Sequence, residues 1–332
     1  MANEIRALED KSTWVLQSLP PGKKLIDCKW VFKIKRRADD IVERYKARLV
    51  AKGFTQIEGV DFHEAFAPVA KLISICCLLT IAIAKQWVMH RLDVNNAFLH
   101  GDLDGEVYMS LPPRFRSAHT NQVCWLRKSL YGLRQASRNW YFKFAAAFIQ
   151  YGFQQTEADH SFFTYSHASV FLAVLVYVDD MIIVTNNSVS CARFKNYLHQ
   201  CFHIKDLGPL SYFLGIEIIR SSSGLFLNQR KYALDILTEA GMLGSRPAYF
   251  PMEQQHQLSQ DSGNSISDLG QYRRLIGRLL YLTITGPELC YPVHILSCKI
   301  LARDTRKPLC ECFAISSNFL DKEFFFGLHH CL

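Results

Sequence analysis

Two adjacent carboxylates, Asp179 and Asp180, interrupt an apolar run that extends from residue 171 to residue 184. Burying one unpaired carboxylate is costly, and burying two side by side costs more, because like charges repel strongly away from water. Such a pair needs an opposite charge, and a divalent metal ion is the simplest one. If two strands meet at the pair, the carboxylates lie at the tip of a hairpin, where they can hold Mg²⁺ against a phosphate group.

The composition indicates a globular protein. The chain has 332 residues, of which 49% are hydrophobic and 20% are charged, so it can bury a large core in two or three subdomains. The run 171–184 is too short and too interrupted to span a bilayer, and residues 1–6 do not begin a signal peptide, so no membrane partner is expected. The eleven cysteines are scattered, which favours reduced intracellular thiols over disulfides or zinc ligands.

The positive charge is concentrated near the N-terminus. The whole chain carries +8, and residues 22–52 alone contain eleven Lys/Arg and four acids. In this segment apolar and basic side chains alternate, which predicts a hairpin with one packed face and one cationic face. The expected apolar face comprises Trp30, Phe32, Ile34, Tyr45, Ala47 and Leu49; the expected cationic face comprises Lys29, Lys33, Lys35, Arg44, Lys46 and Arg48.

A solvated surface is the simplest explanation of that cationic face. Like charges on paired strands repel one another, however, so an anionic partner is favoured, and phosphate is the obvious candidate.

Helical and strand patterns alternate along the rest of the chain. Apolar spacing predicts helices over 68–86, 129–150 (after a Gly-containing turn), 189–202, 231–242 and 268–284. Strands are predicted over 88–94, ending at Asp93, in the two halves of 171–184, and within 207–219. A polar loop is predicted at 253–267. In the helix 268–284 we expect Leu269, Tyr272, Ile276 and Leu279 to face inward and Arg274 and Arg278 to face outward. The order of elements indicates an α+β fold with a palm-like sheet and appended helices.

Several short motifs share their order and spacing with one known family. They are LDVNNAFLHG at 92–101, YVDD at 177–180, RYKARLVAKGF at 44–54, EVYM at 106–109, SLYGLRQ at 129–135, KDLG at 205–208, YFLGIE at 212–217 and QRKY at 229–232. From about residue 4 to about residue 297 the chain resembles the copia-type LTR-retrotransposon reverse transcriptase, an RNA-directed DNA polymerase. Each motif alone would be weak, and their common order over this length carries the resemblance.

The resemblance implies a right-hand polymerase. Fingers would cover 1–92, with 111–140 returning to fingers and palm. The palm would cover 93–110 and 141–220, as an antiparallel sheet packed on helices. A partial helical thumb would cover 221–297. The segment 298–332 has no clear periodicity and is expected to be a degenerate or disordered tail, with a divergent helix as the alternative.

The resemblance also implies a two-metal site. Its ligands would be Asp93, Val94 and Asp179, with Asp180 as a less direct member, and its ions would be two Mg²⁺, with Mn²⁺ as a substitute. Catalysis would then involve Asp93, Asp179, Asp180 and Lys205, the last as a general acid for pyrophosphate or else as a solvated loop lysine.

Nucleotide-binding roles follow from the same resemblance. Lys46 and Arg48 would grip the triphosphate, although Arg44 shares their face. Phe98 would exclude a 2′-hydroxyl, or else serve as a core aromatic. Gly132 and Gln135 would pack against the template base and the nascent pair. The hairpin 213–217 would hold the primer, and Arg274 and Arg278 would follow the duplex backbone or remain solvated. The partners would be an RNA or DNA template, a DNA primer and a dNTP, in the cytoplasm or the nucleus.

Departures from the family pattern favour a second hypothesis. Cys76 stands where the family usually has arginine, Asn95 stands where it usually has lysine, and no ribonuclease H, protease or integrase pattern follows. We therefore also consider an inactive, truncated relic that keeps the palm fold and binds nucleic acid. A two-metal nuclease is less favoured, because it leaves the basic hairpin and Phe98 unexplained.

Overall fold

A computed structural model describes residues 1–36, 41–115, 121–221, 224–244, 268–298 and 324–327. The chain divides into two compact units, Met1–Pro209 and Leu210–Leu332. Both units contain helices and antiparallel strands, which confirms the α+β class. The predicted loop 253–267 lies outside the described residues.

The first unit contains four helices and twelve strands in its described part. The helices are α1 (Ala2–Asp10), α2 (Leu72–Ala84), α3 (Ala136–Tyr151) and α4 (Ser188–Phe202), and short 3₁₀ turns occur at Gly53–Thr55 and Ala97–His100. The strands are β1 (Trp14–Ser18), β2 (Leu25–Ile26), β3 (Cys28–Arg36), β4 (Val42–Ala51), β5 (Val88–Val94), β6 (Asp102–Met109), β7 (Gln122–Lys128), β8 (Gln154–Gln155), β9 (Phe162–His167), β10 (Val170–Tyr177), β11 (Asp180–Thr185) and β12 (Ile204–Pro209).

A six-stranded sheet, here called the central sheet, has the order β12-β5-β11-β10-β9-β8, and all its neighbours are antiparallel. Side chains of β5, β10 and β11 pack on α3 and α4 in one aromatic core that includes Trp140, Phe144, Phe148 and Phe194. The predicted spacing of Trp140, Phe144 and Phe148 is confirmed, since all three are almost fully buried. This core fixes the rim at which Asp93 lies near the end of β5 and Asp179 and Asp180 lie where β10 turns into β11.

The helix predicted over 68–86 begins later, at Leu72. The main chain of Lys71 is extended, and its N–H donates to the Asp159 carboxylate at 3.0 Å. This bond to a distant side chain satisfies the backbone just before the helix, so Pro68 does not open it.

A second sheet has the order β1-β7-β6-β2. It shares a core with the bases of β3 and β4, where Leu8, Leu49, Met109 and Cys124 are fully buried. Among the described strands, β3 and β4 pair only with each other, and they form the hairpin predicted from the charge pattern, here called the basic hairpin.

The prediction that the apolar face of the basic hairpin is packed is wrong toward the tip of the hairpin. Phe32 is 67% exposed, Ile34 49% and Tyr45 78%, whereas Leu49 at the base is buried. The register pairs Phe32 with Ala47 and Ile34 with Tyr45, so the apolar residues do share a face, as alternation requires. They are exposed because the two-stranded ribbon extends past the core that covers its base.

The second unit combines a small sheet with helices. Its strands are β13 (Tyr212–Phe213), β14 (Ile216–Arg220), β15 (Gly224–Asn228) and β16 (Phe324–Gly327), hydrogen-bonded in that order. Its helices are α5 (Arg230–Glu239), α6 (Leu269–Leu282) and α7 (Cys290–Cys298), with a 3₁₀ turn at Pro287–Leu289. The hairpin 212–220 groups with this unit, because β14 pairs with β15.

Two details of the second unit differ from expectation. Leu269 is 39% exposed, since it is the first residue of α6, whereas Tyr272, Ile276 and Leu279 are buried as predicted. Residues 324–327 lie in the segment expected to be a degenerate or disordered tail, and they form β16, which pairs with β15. Cys298 ends α7, and residues 299–323 and 328–332 lie outside the part of the chain that is described.

Candidate active site

The pair of strands β10 and β11 meets at the turn Tyr177–Asp180, where Tyr177 lies opposite Asp180. The next strand, β5, places Asp93 directly opposite Asp180, and the Val94 N–H donates to the Asp179 carbonyl at 2.8 Å. Antiparallel pairing thus brings two sequence segments that are 86 residues apart to one rim of the central sheet. The sequence prediction that Asp93 would meet the Asp179–Asp180 pair agrees with this arrangement.

One cleft of about 330 Å³ lies between that rim and the basic hairpin. Its acidic side is formed by Asp93, Val94 and Asp179, and its opposite side carries Lys33, Lys46 and Arg48. Val31, Asn95 and Asn96 complete the lining. A cleft with carboxylates on one wall and cations on the other suits a polyanion bound together with a metal ion.

Asp180 has a different environment from Asp179. Arg91 binds it with two parallel hydrogen bonds, Nε to Oδ1 at 2.9 Å and a terminal nitrogen to Oδ2 at 2.6 Å. The Asp180 side chain is 13% exposed and that of Arg91 24%. Burial raises the pKa of the Asp180 carboxyl, and Arg91 opposes that rise. Asp180 is thus neutralised by protein, and it does not line the cleft.

Sequence reasoning missed Arg91. A signal was present, because Arg91 and Asp93 lie two residues apart on one strand and so share a face. The missing information was the register, which sets Asp180 opposite Asp93 and within diagonal reach of Arg91.

The carboxyl group of Asp93 has a raised pKa. Burial is the largest cause, and the negative charges of Asp179 and Asp180 add to it, while Arg91 and Lys205 oppose it. Lys205 lies directly opposite Asp93 on β12 and is exposed. The cluster therefore has excess negative charge, which a cation in the cleft would relieve.

Three side chains in mutual contact lie beside the cleft. The rings of Phe98 and Tyr131 have centroids 4.9 Å apart, and the Arg48 guanidinium lies 4.5 Å from the Tyr131 centroid. Burial raises the pKa of the Tyr131 hydroxyl, Arg48 opposes this, and the charge of Asp179 adds to it. Tyr131 was not singled out by sequence, although it lies inside the 129–135 motif. It links Phe98, which does not line the cleft, to Arg48, which does.

Gln135 is placed away from the acids. Its side chain is buried and accepts a hydrogen bond from Gln56 at 3.1 Å. It lines a separate cavity of about 270 Å³ with residues such as His63, Asp104 and Arg138. The structure therefore does not bring Gln135 to the cleft that holds Asp93 and Asp179.

Gly132 makes a close approach, but to the protein itself. It has φ +93°, and a Cβ atom there would lie 2.1 Å from the Ala51 carbonyl oxygen. The Ala51 N–H also donates to the Tyr131 carbonyl at 2.7 Å. The 129–135 segment is thus joined directly to the end of β4 on the basic hairpin.

The two family departures occupy different places. Cys76 lies half-buried on α2 and does not line the cleft. Asn95 does line it, and its side-chain amide donates to the His203 carbonyl at 3.3 Å. The usual lysine at that position would add positive charge to the cleft, so this chain has less of it.

A lysine–histidine contact holds the segment that follows Asp93. The Lys11 ammonium lies 2.9 Å from His100 Nε2. Lysine can only donate, so Nε2 is the acceptor and the imidazole is neutral. Burial, followed by the charge of Lys11, lowers the pKa of His100 to about 4.

We expect this contact to make stability depend on pH. Below its unfolded pKa of 6.5, His100 binds a proton more readily in the unfolded chain than in the folded one, so stability falls as pH drops from 6.5 toward 4. Urea unfolding of the wild type and His100→Asn at pH 7 and pH 5 measures this. The variant should lose less stability than the wild type on acidification. His167→Asn, at an exposed position, serves as the control and should keep the wild-type loss; equal losses in all three proteins would contradict the assignment.

No helix in the described ranges is long and apolar enough to cross a membrane. Among the same residues, no three Asp, Glu, His or Cys side chains converge closely enough to bind a metal ion on their own. Any ion in the cleft would need ligands beyond Asp93 and Asp179, such as substrate phosphates or water.

In this site, acids on the rim of an antiparallel sheet face a basic hairpin across one cleft. The family model for reverse transcriptase (RNA-dependent DNA polymerase) matches residues 11–254. The chain belongs to this family, and its relatives identify it as a copia-type reverse transcriptase domain.

Those relatives are transposon polyproteins. The chain is 42% identical over 299 residues to the retrovirus-related Pol polyprotein from transposon RE2 of Arabidopsis thaliana, covering 90% of this chain and 20% of that protein. It is 38% identical over 308 residues to the corresponding protein from transposon TNT 1-94 of Nicotiana tabacum, covering 90% and 23%. The chain thus spans about a fifth of the length of these relatives.

A solved structure of the foamy viral protease-reverse transcriptase in complex with double-stranded DNA is also similar. The TM-score is 0.48 at 13% identity, over 96% of this chain and 48% of that chain.

Proposed function

We propose that the first unit transfers a nucleoside monophosphate from a dNTP to the 3′-hydroxyl of a DNA primer, on an RNA or DNA template. The observation that carries this proposal is the single cleft in which Asp93 and Asp179 face Lys33, Lys46 and Arg48. In this proposal the central sheet is the palm, the basic hairpin belongs to the fingers, and the helices of the second unit belong to the thumb.

The donor set of the cleft fits Mg²⁺, with Mn²⁺ as a substitute. Magnesium in phosphate-transfer sites commonly takes one or two carboxylates and completes its shell with substrate phosphates and water. Asp93 and Asp179 would supply the carboxylates, beside the main chain of Val94, and Asp180 would support them from its ion pair with Arg91. When bound, the ions would lower the pKa of the primer hydroxyl and neutralise the leaving pyrophosphate.

The other wall of the cleft would bind and orient the nucleotide. Lys46 and Arg48 would hold the triphosphate, and the ring of Tyr131 beneath Arg48 would fix the direction of that guanidinium. Phe98, whose ring contacts that of Tyr131, would limit the space for a 2′-hydroxyl. Lys205, opposite Asp93, would donate a proton to pyrophosphate.

The thumb arginines have a competing partner. Arg274 and Arg278 both pair with Glu239 on α5, and Arg278 also lies over the Tyr232 ring. If they follow the backbone of a duplex, phosphate must compete with Glu239. We therefore assign them a smaller share of nucleic-acid binding than their charge alone suggests.

Primer extension tests the proposed activity. The full chain is incubated with poly(rA)/oligo(dT), dTTP and Mg²⁺, beside Asp179→Asn and the control Asp10→Asn, which removes the same charge from an exposed position. We expect the wild type and Asp10→Asn to extend the primer and Asp179→Asn to lose about 10³-fold in rate, because a metal carboxylate supplies several kcal/mol.

Two negative results of this assay would lead to different conclusions. No extension by folded wild type would reject the enzyme and leave the alternative of a domain that binds nucleic acid without catalysis. Equal extension by wild type and Asp179→Asn would reject the site assignment instead.

Lys46 should contribute mainly to nucleotide binding. We expect Lys46→Ala to raise the KM for dNTP about tenfold with a smaller change in kcat, because a charge-assisted bond to phosphate is lost. Lys29→Ala removes the same charge from the same hairpin but not from the cleft, so its KM should stay near that of the wild type. Steady-state kinetics with varied dTTP decides between the two, and equal KM changes would point to a diffuse charge effect.

A further inference from the structure

The turn that carries Asp179 has a strained backbone. Val178 has φ +58°, whereas Asp179 keeps an ordinary negative φ. A positive φ at only the first of two central residues is typical of a type II′ turn, which favours glycine at that position. Valine is β-branched and rarely adopts this conformation, so the surrounding structure must hold it.

Trp140 provides such a restraint. Its indole Nε1–H donates a hydrogen bond of 2.7 Å to the Val178 carbonyl. The side chain is 1% exposed, and its ring packs against Phe144 at 4.7 Å and Phe202 at 5.3 Å between centroids. A donor held by this core on α3 has little freedom to follow a moving turn.

The acceptor of this bond belongs to the central peptide of the turn, which links Val178 to Asp179. Rotating that peptide by half a turn would convert the type II′ form into type I′, in which the second central residue also has a positive φ. Such a change at Asp179 would redirect its side chain. The direction of the Val178 carbonyl therefore decides where the Asp179 carboxylate lies.

Other contacts hold different parts of the turn. The Val94 N–H binds the carbonyl of Asp179 itself, and Arg91 binds the Asp180 carboxylate. Neither of these bonds holds the central peptide.

We propose that Trp140 is a positioning residue, whose indole N–H selects the type II′ form of the 177–180 turn and so holds the Asp179 carboxylate in the cleft beside Asp93 for a divalent cation. This inference rests on the proposed metal-dependent function of the cleft.

Mn²⁺ binding to the full chain, followed by electron paramagnetic resonance, tests it without requiring turnover. Trp140→Phe removes the donor and keeps an aromatic ring. Replacement of Trp140 by the isosteric benzothienylalanine removes the N–H and keeps the shape, so it remains informative if Trp140→Phe folds poorly. Phe148→Leu is the matched control, because Phe148 lies in the same core on the same helix but contributes no hydrogen bond.

We expect both Trp140 variants to weaken Mn²⁺ binding about tenfold, as the loss of one well-placed hydrogen bond suggests. Their kcat for primer extension should fall by a similar factor, with the KM for dNTP nearly unchanged. Phe148→Leu should lower the melting temperature yet leave Mn²⁺ affinity near that of the wild type.

Wild-type Mn²⁺ affinity in the benzothienylalanine protein would overturn the inference, as would an equal loss in Phe148→Leu. A wild type that binds Mn²⁺ through Asp179 but extends no primer would reject the proposed polymerase activity and leave the role of Trp140 to be decided by the Mn²⁺ comparison. A wild type that binds no Mn²⁺ would overturn both.

Discussion

Replacing Gly132 by alanine is expected to destabilise the folded protein by about 4 kcal/mol or more, at the upper end of single substitutions. Two effects combine at this position. The backbone has φ +93°, which L side chains rarely adopt, and a Cβ atom would lie 2.1 Å from the carbonyl oxygen of Ala51. Because that oxygen belongs to a buried strand end, the clash cannot be relieved by rotating a side chain.

Three other glycines separate the two effects. Gly53 has the clash without the positive φ, since its Cβ would lie 2.1 Å from the Gly132 carbonyl oxygen. Gly208 has φ +81° with nothing within 4 Å, and Gly105 has neither constraint. Urea unfolding of the four alanine variants should give a large loss for Gly132, a large loss for Gly53, about 1–2 kcal/mol for Gly208 and almost none for Gly105. If the Gly132 variant loses no more stability than the Gly208 variant, the segment 129–135 can move away from the end of β4 and relieve the clash.

Replacing Arg91 by leucine should destabilise the fold by about 2–3 kcal/mol. Breaking a buried ion pair typically costs about 3–5 kcal/mol, because it leaves one charge buried without its partner, and the 24% exposure of Arg91 reduces that figure. Thermal and urea unfolding at pH 7 measure the effect. Since Asp180 lies opposite Asp93, the unpaired charge should also disturb the cleft and slow primer extension.

A double substitution and a matched control make this test specific. Asp180→Asn added to Arg91→Leu removes the stranded charge and should restore most of the lost stability. Arg138→Leu removes an arginine from a pair with Glu64, whose side chain is 61% exposed, and should cost less than about 1 kcal/mol. If the double variant is no more stable than Arg91→Leu, packing around Arg91 and not the Asp180 charge explains the loss.

Local patterns predicted much of the fold. The period of the apolar residues placed the helix around Trp140, Phe144 and Phe148 correctly, because the buried stripe of a helix is a local property. The alternation of apolar and basic residues likewise predicted the basic hairpin and its two faces. The same alternation could not show that Phe32 and Tyr45 are exposed, since a pattern identifies a face but not what covers it. The start of α2 was misplaced because the backbone before it bonds to Asp159, a residue far away in sequence.

In the candidate site, too, local sequence predicted some features and long-range contacts decided the others. Asp179 and Asp180 were identified as site residues because two adjacent acids interrupt an apolar run. Asp93 was identified by the motif at 92–101. The resemblance gave Asp180 the less direct role, but the sequence did not show which residue would neutralise its charge. The separation arises when strand register puts Asp180 within reach of Arg91 and leaves Asp179 at the turn. Likewise, Gly132 was expected to approach a ligand, and its close neighbour is in fact the Ala51 carbonyl.

The sequence by itself determined an α+β chain with paired acids in an apolar hairpin and with the basic hairpin, because these features depend on residue type and short-range period. Its ordered motifs carried the resemblance to reverse transcriptases. Only the tertiary structure decided which carboxylate faces the cleft, which one Arg91 neutralises, and which indole holds the strained turn between them. Those assignments depend on the register of β5 against β11 and on the packing of α3 beneath the sheet. Both are contacts between segments distant in sequence, and a one-residue shift in register would reverse them.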